Sequence, residues 1–216
     1  KSAAPALASL TRPVAVAQGV LCLIAFGCLL WMFAVTDLSV FLVASNSHID
    51  KPMIFKIAGA WGNHEGSMLL WVTILTLAGA AIALFERRLD AQTFGATLFA
   101  QALLALGFFA FLLFSSNPFE RISPAPQNGA GLNPLLQDIG LALHPPTLYI
   151  GYVGLSVAFS FAVGALLTLS LVLSAGTYGL ADEMVTIRVP GGDAAMEKSL
   201  KAASGLVAAE QEAAAQ

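Results

Sequence analysis

Charged side chains are scarce in this sequence. Of its 216 residues, 11% are charged and 57% are hydrophobic, and the mean hydropathy is +0.79. Such a composition excludes an ordinary soluble domain. The basic residues are few and scattered, and the net charge is -3, which excludes the basic patch that nucleic-acid binding requires. The chain is predicted to be an integral membrane protein that does not bind nucleic acid.

Cysteine is also rare. Cys22 and Cys28 lie six positions apart in the first apolar run, so they form neither a Cys-x-x-Cys redox pair nor a Cys-x-x-Cys-His haem attachment motif. We interpret both as packing residues, because free cysteine is among the most buried residue types. A convincing signal peptide is lacking too, and the chain starts at lysine, so its true N-terminus is expected to be missing.

Long apolar runs are what the sequence has instead. Four of them reach the roughly 20 residues that a helix needs to cross a bilayer. No charge interrupts them, and they cover residues 13–36, 68–85, 92–114 and 147–175. Because backbone polar groups must be paired within the membrane, helices are expected. The predicted fold is an all-α integral membrane protein, a polytopic helical bundle of about four spans with interfacial helices in two outer loops.

The basic residues of the short loops indicate the orientation of the bundle. Arg12 precedes the first span, and Arg87 and Arg88 lie in the tight turn between the second and third. This side is therefore predicted to be cytoplasmic. The two long loops, residues 37–67 and 115–144, are then predicted to lie on the outer face.

Two segments outside the spans carry weaker signals. Within residues 51–67, apolar residues recur at helical spacing up to Trp61. This predicts a short helix in the headgroup region with Trp61 as its aromatic anchor.

After residue 175 the composition changes abruptly, and residues 176–216 are predicted to be a loosely ordered tail without a catalytic motif.

Two of the three histidines, His48 and His64, give equivocal signals. His48 lies in a polar loop without a second ligand at metal spacing, so we interpret it as solvated. His64 and Glu65 resemble the start of a zinc-protease motif, but Met68 stands where its second histidine is required, which excludes that function. Two roles stay open for the pair: Glu65 caps the second span and favours its dipole, or both residues line a cofactor cleft.

His144 is the strongest candidate for chemistry. Pro145 and Pro146 follow it, and proline disfavours helical geometry in the preceding residue, so His144 is predicted to be extended, just outside the fourth span. Tyr149 and Tyr152 come next, at the height where aromatic rings settle in a membrane. A fixed imidazole at this surface suits a metal or haem, whereas composition alone favours an interfacial hydrogen-bonding role.

Three stretches carry a family resemblance. They read WGNHEGSMLLWV at 61–72, SSNPFER at 115–121 and GLNPLLQDIGLALHPPTLYIGYVGLSVAF at 131–159. In this order they strongly resemble the CcmF/NrfE family of cytochrome c-type biogenesis proteins, which are haem lyase subunits. Several consecutive non-apolar residues coincide with the family pattern, and generic hydrophobicity does not produce such agreement.

The resemblance implies a function in cytochrome c maturation at a bacterial inner membrane, with the loops 37–67 and 115–144 in the periplasm. Haem would be delivered by a haem chaperone, held on the outer face and attached covalently to apocytochrome c, with other subunits of the maturation complex as partners alongside membrane lipid. His144 would be an axial ligand of the haem iron. The residues expected to line the site are Trp61, His64, Glu65, Pro145, Pro146, Tyr149 and Tyr152.

The sequence departs from the family after residue 167. All three tryptophans, Trp31, Trp61 and Trp71, precede the third span, so the family's tryptophan-rich loop is missing, as is its second outer histidine. Residues 1–167 are therefore expected to be an incomplete haem lyase region, inactive alone, followed by a tail unlike the family. The alternative is a non-enzymatic membrane scaffold or assembly subunit that binds partner proteins through its outer loops. A transporter is disfavoured, because no span contains a charge.

Overall fold

The computed structural model describes residues 4–177, which contain six α-helices. The elements are α1 (Ala4–Val35), α2 (Phe41–Asn46), α3 (Met53–Gly59), α4 (His64–Phe85), α5 (Ala91–Phe114), a 3-10 turn (Pro134–Gln137) and α6 (Ile139–Thr177). No β-strand occurs in this described range, so the all-α prediction is confirmed. The chain divides into two compact units, Lys1–Val172 and Leu173–Gln216. The contacts described below lie within the first unit, and the predictions for the tail lie outside the described residues.

Four helices of the described range are long and apolar enough to cross a membrane, as the sequence predicts. The second of them, α4, begins at His64 rather than at the predicted Met68, because Asn63 caps it. The side-chain oxygen of Asn63 accepts a hydrogen bond from the backbone N–H of Gly66 at 2.7 Å. The prediction that Glu65 is the cap is therefore wrong. Glu65 lies in the first turn, where its negative charge still favours the helix dipole.

The fourth span begins well before its predicted start. Helix α6 starts at Ile139 rather than at Thr147, and His144, Pro145 and Pro146 all lie inside it. The prediction of an extended backbone at His144 is therefore wrong. A membrane helix tolerates proline where neighbouring groups bind the carbonyl oxygens that proline leaves unpaired.

Helices α1 and α4 pack closely along their length. Leu29 and Phe33 of α1 are fully buried in a cluster that includes Val72 of α4. Nearer the other end of α1, a Cβ added to Gly19 would lie only 2.9 Å from the Cβ of Ala80. Small residues at such a crossing let two membrane helices approach closely and gain van der Waals contact.

A buried polar junction connects α4, α5 and α6. The side-chain amide of Gln101 donates to the backbone oxygen of Leu75 at 3.2 Å, and the hydroxyl of Ser160 donates to the amide oxygen of Gln101 at 2.6 Å. Gln101 and Ser160 are both buried. Because an unpaired polar group is costly in an apolar environment, these bonds favour one arrangement of the three helices.

The two long outer loops pack on each other. The backbone N–H of Phe41 donates to the oxygen of Glu120, and that of Ala130 donates to the oxygen of Ala44, both at 2.8 Å. The second loop thereby supplies partners for backbone groups at the start and the end of α2. The two loops consequently form one ordered layer rather than two separate segments.

Asp37 should make this packing dependent on pH. Hydrogen bonds from Ser39, and then the charge of Arg121, hold the pKa of Asp37 below its usual value. A carboxylate whose pKa is depressed by folding contributes stability above its unfolded pKa, and this contribution is lost as the pH falls through the folded value.

In the variant Asp37→Asn, we expect the backbone amide of Ile122, which donates to the Ser39 oxygen, to lose hydrogen-exchange protection near neutral pH. Exposed Glu120 provides the control Glu120→Gln, and equal protection in both variants would contradict this expectation.

Candidate functional site

The side chain of Trp61 binds the first turns of α6. Its indole nitrogen donates to the backbone oxygen of Ala142 at 2.8 Å. In a regular helix that oxygen would accept the N–H four residues later, but this residue is Pro146, which has none. Trp61 thus pairs the carbonyl that proline leaves free, and Ala142 is buried, where an unpaired oxygen would be costly. This bond offsets one cost of the two prolines, and the helix passes through His144 and Pro145 without a break.

Trp61 is also a packing residue. The predicted interfacial helix ends at Gly59 as α3, and Trp61 lies beyond it, packed against a buried cluster of Ala58, Leu132 and Ala142. Its N–H therefore binds protein, and the prediction that Trp61 belongs to the interfacial helix is wrong. The turn after α3 instead places the indole against α6.

Trp71 of α4 contacts three aromatic rings, two of which belong to the next turns of α6. The ring centroid of Trp71 lies 5.3 Å from that of Tyr149, 6.2 Å from that of Tyr152 and 5.8 Å from that of Phe108 in α5. Such offset and edge contacts are favourable in addition to the area they bury. Trp71 is absent from the predicted site, although it lies in the stretch WGNHEGSMLLWV that carries the family resemblance.

His64 faces α5 and the second outer loop. Its Nδ1 lies 3.0 Å from the hydroxyl of Ser116, and its ring meets Phe111 edge to face at 5.4 Å. Glu65 beside it is half-buried. The polar partner of His64 is thus a residue of the loop that follows α5 rather than a residue of α6.

The imidazole of His144 lies on the other side of α6 from the Trp61 contact. With about 3.6 residues per turn, positions two apart lie on nearly opposite faces, and His144 is exposed while Ala142 is buried. Gly151, two turns later, shares the face of His144, and a Cβ added there would meet nothing within 4 Å. An accessible imidazole beside an open helix surface has the chemistry of an axial haem ligand.

Among the residues that the structure describes, no group of three or more His, Cys, Asp or Glu residues could hold a metal ion. His48 is engaged elsewhere, since its Nε2 lies 2.9 Å from the side-chain nitrogen of Asn128 and its Nδ1 accepts the N–H of Asp50. His48 therefore helps to join the two outer loops, and its interpretation as merely solvated is incomplete.

Comparison with known proteins identifies the family. A family model described as cytochrome C assembly protein matches residues 61–206. The chain belongs to the cytochrome c assembly protein family. This confirms the resemblance that the motifs carry. The match begins at Trp61 and includes every residue predicted to line the site.

Curated relatives of the chain agree with the family model. The chain is 54% identical over 159 residues to the cytochrome c-type biogenesis protein ccl1 of Rhodobacter capsulatus, covering 74% of this chain and 24% of that protein. It is 48% identical over 160 residues to CcmF of Pseudomonas aeruginosa, covering 74% and 24%, and 49% identical over 145 residues to NrfE of Haemophilus influenzae, covering 67% and 23%. The chain spans about a quarter of the length of these relatives. No solved structure matches it.

Five of the predicted site residues separate into two groups. Trp61, Tyr149 and Tyr152 make the contacts that hold α6 against the other helices. His144 points away from these contacts, and His64 is bound to the second outer loop. The structure thus distinguishes residues that position α6 from the one imidazole of this helix that is open to a ligand.

Proposed function

We propose that this chain acts in cytochrome c maturation by providing His144 as an axial haem ligand on the outer face of a bacterial inner membrane. Membership of the cytochrome c assembly family supports a role in this process. The observation that carries the proposal is an exposed imidazole on a helix whose neighbouring face is open at Gly151. When bound, haem supplies the iron, and a neutral imidazole nitrogen binds it.

The other predicted site residues would position this ligand. Trp61 pairs the carbonyl oxygen that Pro146 leaves free, and Tyr149 and Tyr152 contact Trp71. These contacts fix the helix that carries His144, so the position of this residue on the bundle would be set before haem arrives. Such preorganisation lowers the conformational entropy lost on binding.

Two further residues, His64 and Glu65, would border the site from the start of α4. Their place beside the docked outer loops agrees with a surface that meets other proteins. Under this proposal, a haem chaperone delivers haem to this surface and apocytochrome c receives it. Haem lyase activity, the covalent attachment itself, would belong to the assembled maturation complex.

Replacing His144 by alanine should greatly weaken haem binding. The purified chain in detergent is titrated with ferric haem, and the shift of the Soret band is followed. Because loss of even an outer-shell partner lowers metal affinity by about 10–100-fold, we expect His144→Ala to weaken binding by at least about tenfold. Added free imidazole should restore the spectrum by replacing the missing ligand. The control His48→Ala removes an imidazole from the same predicted side of the membrane and should leave the titration unchanged.

Two results would contradict the ligand role of His144. An equal Soret shift in the unsubstituted chain and in His144→Ala would show that the haem is bound elsewhere. No Soret shift in either protein would favour the alternative of a non-enzymatic scaffold, in which the ordered outer loops bind partner proteins.

A further inference from the structure

A groove opens on the side of the bundle that carries Arg12 and the turn between α4 and α5. It has a volume of about 760 Å³ and runs between the first half of α1 and the end of α4. Val16, Val20 and Leu84 contribute to an apolar wall, and Arg12 of α1 and Arg87, just after the end of α4, line the same groove. The groove therefore combines an apolar surface with two cations.

Arg12 is held in place by the end of the neighbouring helix. Its guanidinium donates to the backbone oxygen of Ala83 and, at 3.0 Å, to that of Glu86. The guanidinium carbon also lies 4.1 Å from the ring centroid of Phe94. Carbonyl oxygens at a helix C-terminus and the face of an aromatic ring both attract a cation. These contacts use two of the five N–H groups of arginine, so an exposed part of Arg12 stays available to an anion.

The carboxylates of the same turn bind backbone N–H groups rather than these two cations. Glu86 accepts the backbone N–H of Arg88 at 2.6 Å, and Asp90 caps the first amides of α5. These backbone hydrogen bonds lower the pKa of both carboxyl groups. Within the part of the chain that the structure describes, no salt bridge joins Arg12 or Arg87 to a carboxylate.

We propose that this groove binds an anionic phospholipid, with the phosphate between Arg12 and Arg87 and an acyl chain along Val16, Val20 and Leu84. Guanidinium groups form strong, charge-assisted hydrogen bonds with phosphate. Basic pockets between membrane helices on the cytoplasmic side are a recurrent site for anionic headgroups. A free anion would use the arginines but leave the apolar wall without a function, whereas a phospholipid uses both.

Charge substitution in the turn tests this site. The chain is mixed in detergent micelles with phosphatidylglycerol or with phosphatidylcholine of the same acyl chains, and bound lipid is counted by native mass spectrometry. We expect the unsubstituted chain to retain phosphatidylglycerol preferentially. Loss of one arginine near a membrane surface should lower that preference about fivefold in Arg87→Gln. Arg88→Gln removes the same charge from the same exposed turn, outside the groove, and should leave the preference unchanged.

A second variant tests the apolar wall. Val20→Trp places a large ring in the groove without changing its charge, and we expect it to reduce retention of both lipids. Equal effects of Arg87→Gln and Arg88→Gln would overturn the proposal, because they would indicate a general surface charge. Absence of a phosphatidylglycerol preference in the unsubstituted chain would also overturn it, as would complete displacement of the lipid by inorganic phosphate.

Discussion

Replacing Trp61 by phenylalanine should lower the free energy of unfolding of the bundle by about 1–3 kcal/mol. Phenylalanine keeps much of the apolar contact but cannot donate to the oxygen of Ala142. That oxygen is buried and has no helical partner, because Pro146 lacks an N–H. The cost is thus the desolvation of an unpaired carbonyl, and it is measured by equilibrium unfolding in detergent micelles.

A double-mutant cycle with Pro146→Ala separates this bond from simple loss of volume. Alanine at position 146 restores a backbone N–H four residues after Ala142, so the helix can bind that oxygen itself. We expect Trp61→Phe to be clearly less destabilising in the Pro146→Ala background than in the unsubstituted chain. An equal cost in both backgrounds would mean that packing of the indole, rather than its hydrogen bond, stabilises the start of α6.

Replacing Gly164 by alanine should disrupt the contact between α5 and α6. A Cβ at this position would overlap the hydroxyl oxygen of Thr97 and lie 2.9 Å from its backbone nitrogen. Backbone atoms of a helix cannot move aside as a flexible side chain can, so the two helices must separate. Overpacking of this kind costs about 1–3 kcal/mol, and separation would also lengthen the bond between Ser160 and Gln101. Thermal unfolding in detergent, together with cross-linking of α5 to α6, measures both effects.

The same helix contains matched controls. Gly151 and Gly154 also lie in α6, but a Cβ added to either would meet nothing within 4 Å. Because alanine favours a helix over glycine by about 1 kcal/mol, Gly151→Ala and Gly154→Ala should leave the stability unchanged or raise it slightly. If all three substitutions were equally destabilising, the effect of Gly164→Ala could not be attributed to contact with Thr97.

The sequence predicts the number and type of the long helices because the apolar runs are long and free of charge. The residues at which these helices begin depend instead on individual hydrogen-bonding partners. Helix α4 starts at His64 because Asn63 binds its first turn. Helix α6 continues through Pro145 and Pro146, and a donor on Trp61, 81 positions away from Ala142, satisfies one carbonyl that the prolines leave unpaired. The local preference against a helical residue before proline is outweighed in the folded chain, and no local pattern reveals the tertiary hydrogen bond that contributes to this.

The sequence also does not predict which residues of the spans contact each other. Charged residues mark intramembrane sites in a sequence, whereas Gln101 and Ser160 are neutral, so no sequence pattern indicates the junction that they form with Leu75. In a helix that is apolar on all sides, periodicity does not show which face meets protein and which meets lipid. The sequence therefore reveals the motif that contains His144, but it does not reveal the face of the helix on which the imidazole lies.

Two contacts far apart along α6 together fix its rotation about its own axis. Near the start, the indole of Trp61 binds one particular carbonyl, and several turns later Gly164 fits closely against the backbone of Thr97. Turning the helix by even one residue would break the first contact and force a side chain into the second. Residues on the other face of α6 consequently determine the direction in which position 144 faces. A different side chain introduced at this position would face the same way.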